Sequence, residues 1–153
     1  MRRLVLAAGV VACLALGACS KSDDKAADAA ADAPKKSLAR QATFYQGQEQ
    51  IQSVTAGTVE PGKDGGVLMK ASGTVAGAGW TNPGFLPRIY AATPPDGVYE
   101  VDVVADKPAA PGAAASTPIE AKGDWNKYTD GRVKGIKFIS KTNEVVAMLP
   151  PKG

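Results

Sequence analysis

Glu100 and Asp102 are the two residues of this chain whose type and spacing come nearest to catalytic chemistry. They alternate with apolar residues, which places both on one face of a strand, about 7 Å apart by the two-residue repeat. That separation is near the spacing of the carboxylate pair of a glycosidase. Catalytic pairs normally come from different elements, however, and one carboxyl needs an apolar pocket that raises its pKa. We therefore interpret the pair as alternating charges on an exposed strand face.

Composition excludes most other catalytic chemistry. The chain has no histidine, and its two cysteines, Cys13 and Cys19, both precede the folded region that we predict below. Ser-His-Asp triads, Cys-His mechanisms and histidine-based zinc sites are thereby excluded. The segment from Asp124 begins like a calcium loop, but Tyr128 stands where a third ligand belongs and Thr129 where the glycine belongs. We expect no cofactor and no metal, and a binding protein rather than an enzyme.

The segment from Gly77 to Phe85 packs Trp80, Asn82 and Phe85 among glycines and a proline that let the backbone bend. Its Gly-Trp-x-Asn-Pro pattern resembles one found in small secreted bacterial proteins, and that resemblance implies no activity. Aromatic side chains on such a loop supply large contact area at low entropic cost, so they could bind a sugar or a peptide. The alternative is that Trp80 closes the end of a β core.

A second candidate surface is basic. Between Lys122 and Lys141 the chain carries six Lys and Arg residues against Asp124 and Asp130. Net charge is only +3 for the whole chain, which excludes nucleic-acid binding by bulk charge. An anionic partner, such as lipid head groups or an acidic protein, or protection of an exposed strand edge by lysine, would each explain the local excess. The candidate partner-binding residues of this segment are Trp125, Tyr128, Lys134 and Lys137.

The elements that must position these residues are short strands. Past Leu38, β-branched and aromatic runs are punctuated by Gly and Pro, and no apolar stripe of helical period and length is present. Turn-forming residues separate three pairs of strands, while Lys107 to Ser116 is a Pro- and Ala-rich loop. The predicted hairpins pair Ile51 to Val59 with Val67 to Val75, Arg88 to Ala92 with Val98 to Ala105, and Ile136 to Ser140 with Glu144 to Leu149. We predict an all-β domain, a small antiparallel sandwich or open barrel built from hairpins.

The first residues have the form of an export signal. Met1-Arg2-Arg3 is followed by an apolar run to Leu16, which is too short to span a membrane. Leu16-Gly17-Ala18-Cys19 then resembles the lipobox of bacterial lipoproteins. The resemblance implies cleavage before Cys19 and lipid, diacylglyceryl and usually a further acyl chain such as palmitate, on that cysteine. Two or three acyl chains hold a protein at a membrane essentially permanently.

The lipobox sets the predicted domain boundaries: a signal peptide at 1–18, a lipidated disordered tether at 19–37 and an all-β domain at 38–153. The tether has four Lys, four Asp, many Ala and no large apolar residue, so it cannot bury a core. Ser20 stands where many Gram-negative lipoproteins retained in the inner membrane carry Asp. We therefore expect a lipid-anchored protein of the cell envelope, on the periplasmic face of the outer membrane.

Three functions remain open from the sequence. The first is a non-catalytic binding or interaction domain that engages another envelope protein or a wall component. The second is an envelope hydrolase that works with carboxylates alone, and the third is a passive structural lipoprotein. A deep cleft holding two carboxylates from different strands would favour the hydrolase, whereas an exposed apolar patch would favour binding.

We predict that Cys19→Ser leaves the protein without lipid and uncut, because a serine hydroxyl offers no thiolate to alkylate. Metabolic labelling with a fatty-acid analogue measures this directly. A mutant that labels like the wild type would show that the anchor lies at another residue.

Overall fold

The computed structural model describes residues 37–110 and 112–151. The expected signal peptide, Cys19 and the tether up to residue 36 lie outside the described residues. The predicted all-β fold is confirmed: the described residues contain no α-helix, and a 3₁₀ turn at Lys63–Gly65 interrupts a set of strands. The strands are β1 (Ala39–Arg40), β2 (Gln48–Gln50), β3 (Ser53–Pro61), β4 (Val67–Ala76), β5 (Thr81–Pro87), β6 (Ile89–Tyr90), β7 (Val98–Asp106), β8 (Ser116–Trp125), β9 (Gly135–Ile139) and β10 (Glu144–Met148).

Two sheets form an open sandwich. One has the order β10-β9-β7-β5, and β2 pairs with β7 beyond the point where β9 ends. The other has the order β3-β4-β8, and β1 pairs with β6 as a short ribbon beside them. The pairing is antiparallel as predicted, except that β7 and β9 run parallel. The strands do not close into a barrel.

The core lies between the two sheets and follows the two-residue alternation of the strands. From β7 it takes Tyr99, Val101, Val103 and Ala105, and from β9 it takes Ile136 and Phe138. The facing β4 contributes apolar side chains at every second position. The buried members from β4 are Val67, Met69, Ala71 and Val75.

A glycine marks the point where the chain passes from one sheet to the other. Ile51 follows β2 in the first sheet, and Ser53 begins β3 in the second. The Ile51 side chain lies on Gly73 of β4, where a Cβ would meet both the Ser53 carbonyl oxygen and the Ile51 side chain. Only a residue without a side chain leaves room for this corner.

The sequence predicted two of the three hairpins correctly. β3 pairs with β4, and β9 pairs with β10, each close to the expected bounds. The second hairpin was wrong, because the strand that pairs with β7 is β5. β5 lies largely in the segment that we interpreted as the Trp80 loop, while Ile89 and Tyr90 pair instead with β1.

We predict that Gly73→Ala destabilises the domain by about 1–3 kcal/mol, the usual cost of overpacking a core. Gly84→Ala is the matched control, because it also lies in a strand and an added Cβ there meets nothing within 4 Å. Urea denaturation midpoints of the two variants compare them. Equal midpoints would contradict the proposed role of Gly73.

Candidate functional site

The carboxylate pair that the sequence places on an exposed face is in fact buried. Asp102 has 0% of its surface exposed and Glu100 has 6%, and every residue from Tyr99 to Ala105 is buried. The expectation of a solvent-exposed strand face was wrong, because the alternation of charged residues along β7 does not reveal which other segments cover that face. β7 is buried on both sides.

Arg88 satisfies the two carboxylates. Its Nε and Nη2 donate to the two oxygens of Asp102 at 3.1 and 2.9 Å, and its Nη1 donates to Glu100 Oε2 at 3.2 Å. The hydrogen bonds to Asp102 raise the pKa of Arg88 above its ordinary value, although burial of the guanidinium acts in the opposite direction. Lys137 Nζ adds a longer contact to Glu100, at 3.6 Å.

The N-terminal segment of the domain covers this charged layer. Ser37 Oγ donates to Glu100 Oε2 at 2.8 Å, and Gln50 Nε2 donates to Asp102 Oδ1 at 2.6 Å. Gln41 Nε2 lies 3.5 Å from the same oxygen of Asp102. The carboxyl oxygens are therefore engaged by donors from several segments of the chain and are closed to a substrate. This pair does not supply the acid and nucleophile of a hydrolase.

Trp80 and Tyr128 lie at opposite ends of the sandwich. In the register of β4 with β8, Ala76 faces Ser116 at one end and Val67 faces Trp125 at the other. Nine residues of strand separate these pairs, about 30 Å at the usual rise. Trp80 follows the first end of β4, whereas Tyr128 follows the second end of β8. A single site cannot contain both.

The predicted contact residues of the segment from Gly77 to Phe85 are largely used within the domain. Trp80 is half-buried against the core, and its Nε1 donates to Ala76 O at 3.3 Å. Phe85 packs against Phe138, with 5.5 Å between ring centroids. Asn82 is exposed, and its Nδ2 donates to Asp106 Oδ2 at 2.7 Å. None of the described pockets is lined by these candidates.

Most of the basic segment is paired with acidic side chains. Lys122 contacts Glu120, and Lys137 contacts Glu144 as well as Glu100. Lys137 is on an internal strand, so it does not protect an edge. Within the described residues no ion pair involves Lys127 or Lys134. The full set of segment ion pairs joins Lys122–Glu120, Arg132–Asp130, Lys137–Glu100, Lys137–Glu144 and Lys141–Glu49.

The end of the sandwich beyond Tyr128 holds a groove of about 930 Å³. Its lining is mostly apolar and comes from the β3–β4 loop, the segment after β8 and the end of β10. Of the sequence candidates, Tyr128 and Lys134 lie in this lining. The side chains and backbone that line it belong to Pro61, Gly62, Gly65, Gly66, Val67, Asp96, Tyr128, Asp130, Gly131, Val133, Lys134, Met148, Leu149, Pro150 and Pro151.

Tyr128 is held at the groove by aromatic packing. Its ring stacks on Tyr99 with 5.1 Å between centroids and lies 6.4 Å from the ring of Trp125. The Arg132 guanidinium lies 5.1 Å from the centre of the Tyr128 ring. Trp125, which the sequence offered as a contact residue, is 3% exposed and donates its Nε1 to Lys127 O at 2.6 Å, so it supports Tyr128 from within the core.

The backbone of Tyr128 is in the left-handed region, with φ at 59°. A bulky residue rarely adopts this conformation, which costs on the order of 1–3 kcal/mol. The stacking partners hold Tyr128 there with 39% of its surface exposed. Sequence reasoning named Tyr128 but missed the groove, because Val67, Met148 and Pro150 line it from segments that are distant in sequence.

Comparison with known proteins adds no relative: the chain matches no family model, no curated protein and no solved structure. The part of the chain that the structure describes includes no helix with the length and hydropathy of a membrane span. The same residues hold no group of three or more acidic, Cys or His side chains placed to bind a metal ion.

We predict that Arg88→Met destabilises the domain by about 3–5 kcal/mol, because it leaves two buried carboxylates without their main partner. Lys70→Met is the control: its ion pair with Glu120 is exposed, and its loss should hardly move the midpoint. Denaturant titration of both variants measures the difference. If the two midpoints shift alike, Arg88 does not hold the charged layer together.

Proposed function

We propose that this chain is a lipid-anchored envelope protein whose β domain is a non-catalytic binding module, and that the partner is held in the groove beside Tyr128. The observation that carries the proposal is the groove itself, about 930 Å³ and mostly apolar, at the end of a domain that uses its other candidate side chains internally. Ligand pockets of proteins are typically 300–1,000 Å³.

The lining of the groove favours a protein partner over a wall polysaccharide. A sugar polymer needs many hydrogen-bonding groups, whereas Leu149, Pro150 and Pro151 offer apolar surface. Exposed Met148 and Tyr128 add side chains of the kind that anchor protein interfaces. An apolar side chain or short segment of another envelope protein fits this surface best.

A hydrolase is the weaker alternative. Asp96 and Asp130 both line the groove, and they come from different loops. Asp130 is paired with Arg132, whose hydrogen bonds hold the pKa of this carboxyl below its usual range. Asp96 accepts a hydrogen bond from Val98 N at 3.0 Å in its own turn. A hydrolase that works with carboxylates needs one carboxyl group with a raised pKa, whereas the pKa of Asp130 is lowered.

The anchor is proposed from the sequence. Cys19 in the lipobox supplies the lipid attachment, and Ser20 after it favours the outer membrane. A tether of about 18 residues could extend up to about 60 Å at 3.3 Å per residue. The domain would then reach partners within the periplasm while remaining bound to the membrane.

A photo-reactive amino acid at position 148, expressed in the native envelope, tests where the partner lies. Met148 is exposed at 57% and lines the groove, whereas Val146, two residues earlier on the same strand, is exposed at 50% and is not part of the lining. We expect cross-links to a discrete protein from position 148 and not from position 146. Equal cross-linking from both positions, or from neither, would contradict the groove as the binding site.

Tyr128→Asn tests the same proposal by affinity. Asparagine tolerates a positive φ, so the substitution removes the ring without adding backbone strain. Binding of the cross-linked protein should fall about thirtyfold or more, as for a central aromatic anchor. Tyr45→Asn is the control, because Tyr45 is 73% exposed and lies outside the groove lining. A folded Tyr128→Asn protein that binds like the control would remove Tyr128 from the interface.

A further inference from the structure

A second, smaller pocket lies behind Tyr128, which forms a wall of both this pocket and the groove. Its volume is about 190 Å³, and most of its accessible lining is polar. The residues around it come from the β6–β7 connection, from β7 and from the loop after β8. They are Tyr90, Ala91, Ala92, Thr93, Tyr99, Tyr128 and Arg132.

The hydroxyl of Tyr99 is the unusual feature of this pocket. Tyr99 is 1% exposed, and among the described residues its Oη makes no hydrogen bond of good geometry, although the Arg132 guanidinium lies close enough to interact with it. Burying a hydroxyl without a well-formed hydrogen bond is energetically unfavourable. Such a group calls for an explanation, and a ligand that accepts a hydrogen bond from it is one.

Other donors converge on the same small space. Arg132 uses Nε and Nη2 on Asp130, but Nη1 makes only a 3.4 Å contact, to Thr93 Oγ1. Tyr90 Oη accepts from Glu100 N at 2.9 Å and can still donate its own hydrogen. Burial raises the pKa of Tyr90 to about 12, so this hydroxyl keeps its proton at neutral pH.

We propose that this pocket binds a carboxylate. Its lining offers several hydroxyl and guanidinium donors, and its one cation, Arg132, is already paired with Asp130. A ligand with a single negative charge can be bound by several hydroxyl donors without an additional cation, so the lining suits a monoanion. A phosphate dianion would need additional positive charge. The volume admits a carboxyl group with a short carbon stem.

This site does not depend on the groove having a protein partner. A free carboxylate would bind through Tyr99 and Arg132 alone. A carboxylate carried by a ligand in the groove would reach the same donors past Tyr128. The two proposals can therefore fail separately.

The test is a fluorescence titration of the full chain, purified in detergent, at constant ionic strength. The chain has two tryptophans. Trp80→Phe leaves Trp125 as the only one, and the Trp125 ring lies 5.7 Å from that of Tyr99. Acetate is the probe, acetamide is its neutral counterpart of the same shape, and inorganic phosphate is the dianion. The same titrations are repeated with Tyr99→Phe, which removes only the hydroxyl.

We expect acetate to change the Trp125 signal saturably and acetamide to bind at least tenfold more weakly. Tyr99→Phe should weaken acetate binding about tenfold or more, since a hydrogen bond to a charged group is lost. Acetate should also raise the midpoint temperature of thermal unfolding more in the protein that retains Tyr99 than in the Tyr99→Phe variant. Equal binding of acetate and acetamide, no saturable acetate signal, or an unchanged affinity in Tyr99→Phe would each overturn the proposal. Phosphate binding tighter than acetate would assign the site to a different anion.

Discussion

Burial of the Asp102 carboxylate constrains much of this structure. A charge without exposed surface has to be paired and hydrogen-bonded, since an isolated buried ion costs several kcal/mol. Arg88 donates to both carboxylate oxygens of Asp102, and Gln50 of β2 donates a further hydrogen bond to the same carboxylate. Ser37 donates a further hydrogen bond to Glu100. The charged layer thus fixes where the first residues of the domain lie, and it buries the outer face of β7, whose inner face carries Tyr99.

Turn residues in the sequence predicted two of the hairpins correctly, but they could not predict which segments cover each face of the sheets. Turn residues lie between β3 and β4 and between β9 and β10. They predict that the flanking strands pair with each other, and both pairs form. The partner of β7 was misjudged because Gly84 and the proline beside it look like a loop, yet they lie in β5. Glu100 and Asp102 were judged exposed because alternation reports the two faces of a strand but not their neighbours. Arg88, their main partner, is 12 and 14 positions away, and the covering residues Ser37, Gln41 and Gln50 are 52 to 63 positions away.

For the candidate site, too, the sequence identified individual residues but not how the fold arranges them. Aromatic and basic residues drew attention to Trp80, Tyr128 and Lys134, but only the register of β4 with β8 shows that they lie at opposite ends of the sandwich. Trp125 looked like a contact residue and proves to be a buried support. Tyr128 gains its position from a strained backbone and a stack on Tyr99, and neither is visible in the composition of its loop. The groove depends on tertiary packing between distant segments.

The pairing of β7 on one of its edges also bears on how the chain folds. That edge is shared by β2 (Gln48–Gln50) and by β9 (Gly135–Ile139), which are far apart in sequence. Because loop closure over long separations is entropically costly, such pairings form late and slow the folding rate. This sheet stays incomplete until β9 has joined β7. Until then the unpaired edge of β7 is open to aggregation, so a holding chaperone would be most useful to this protein before β9 has joined β7.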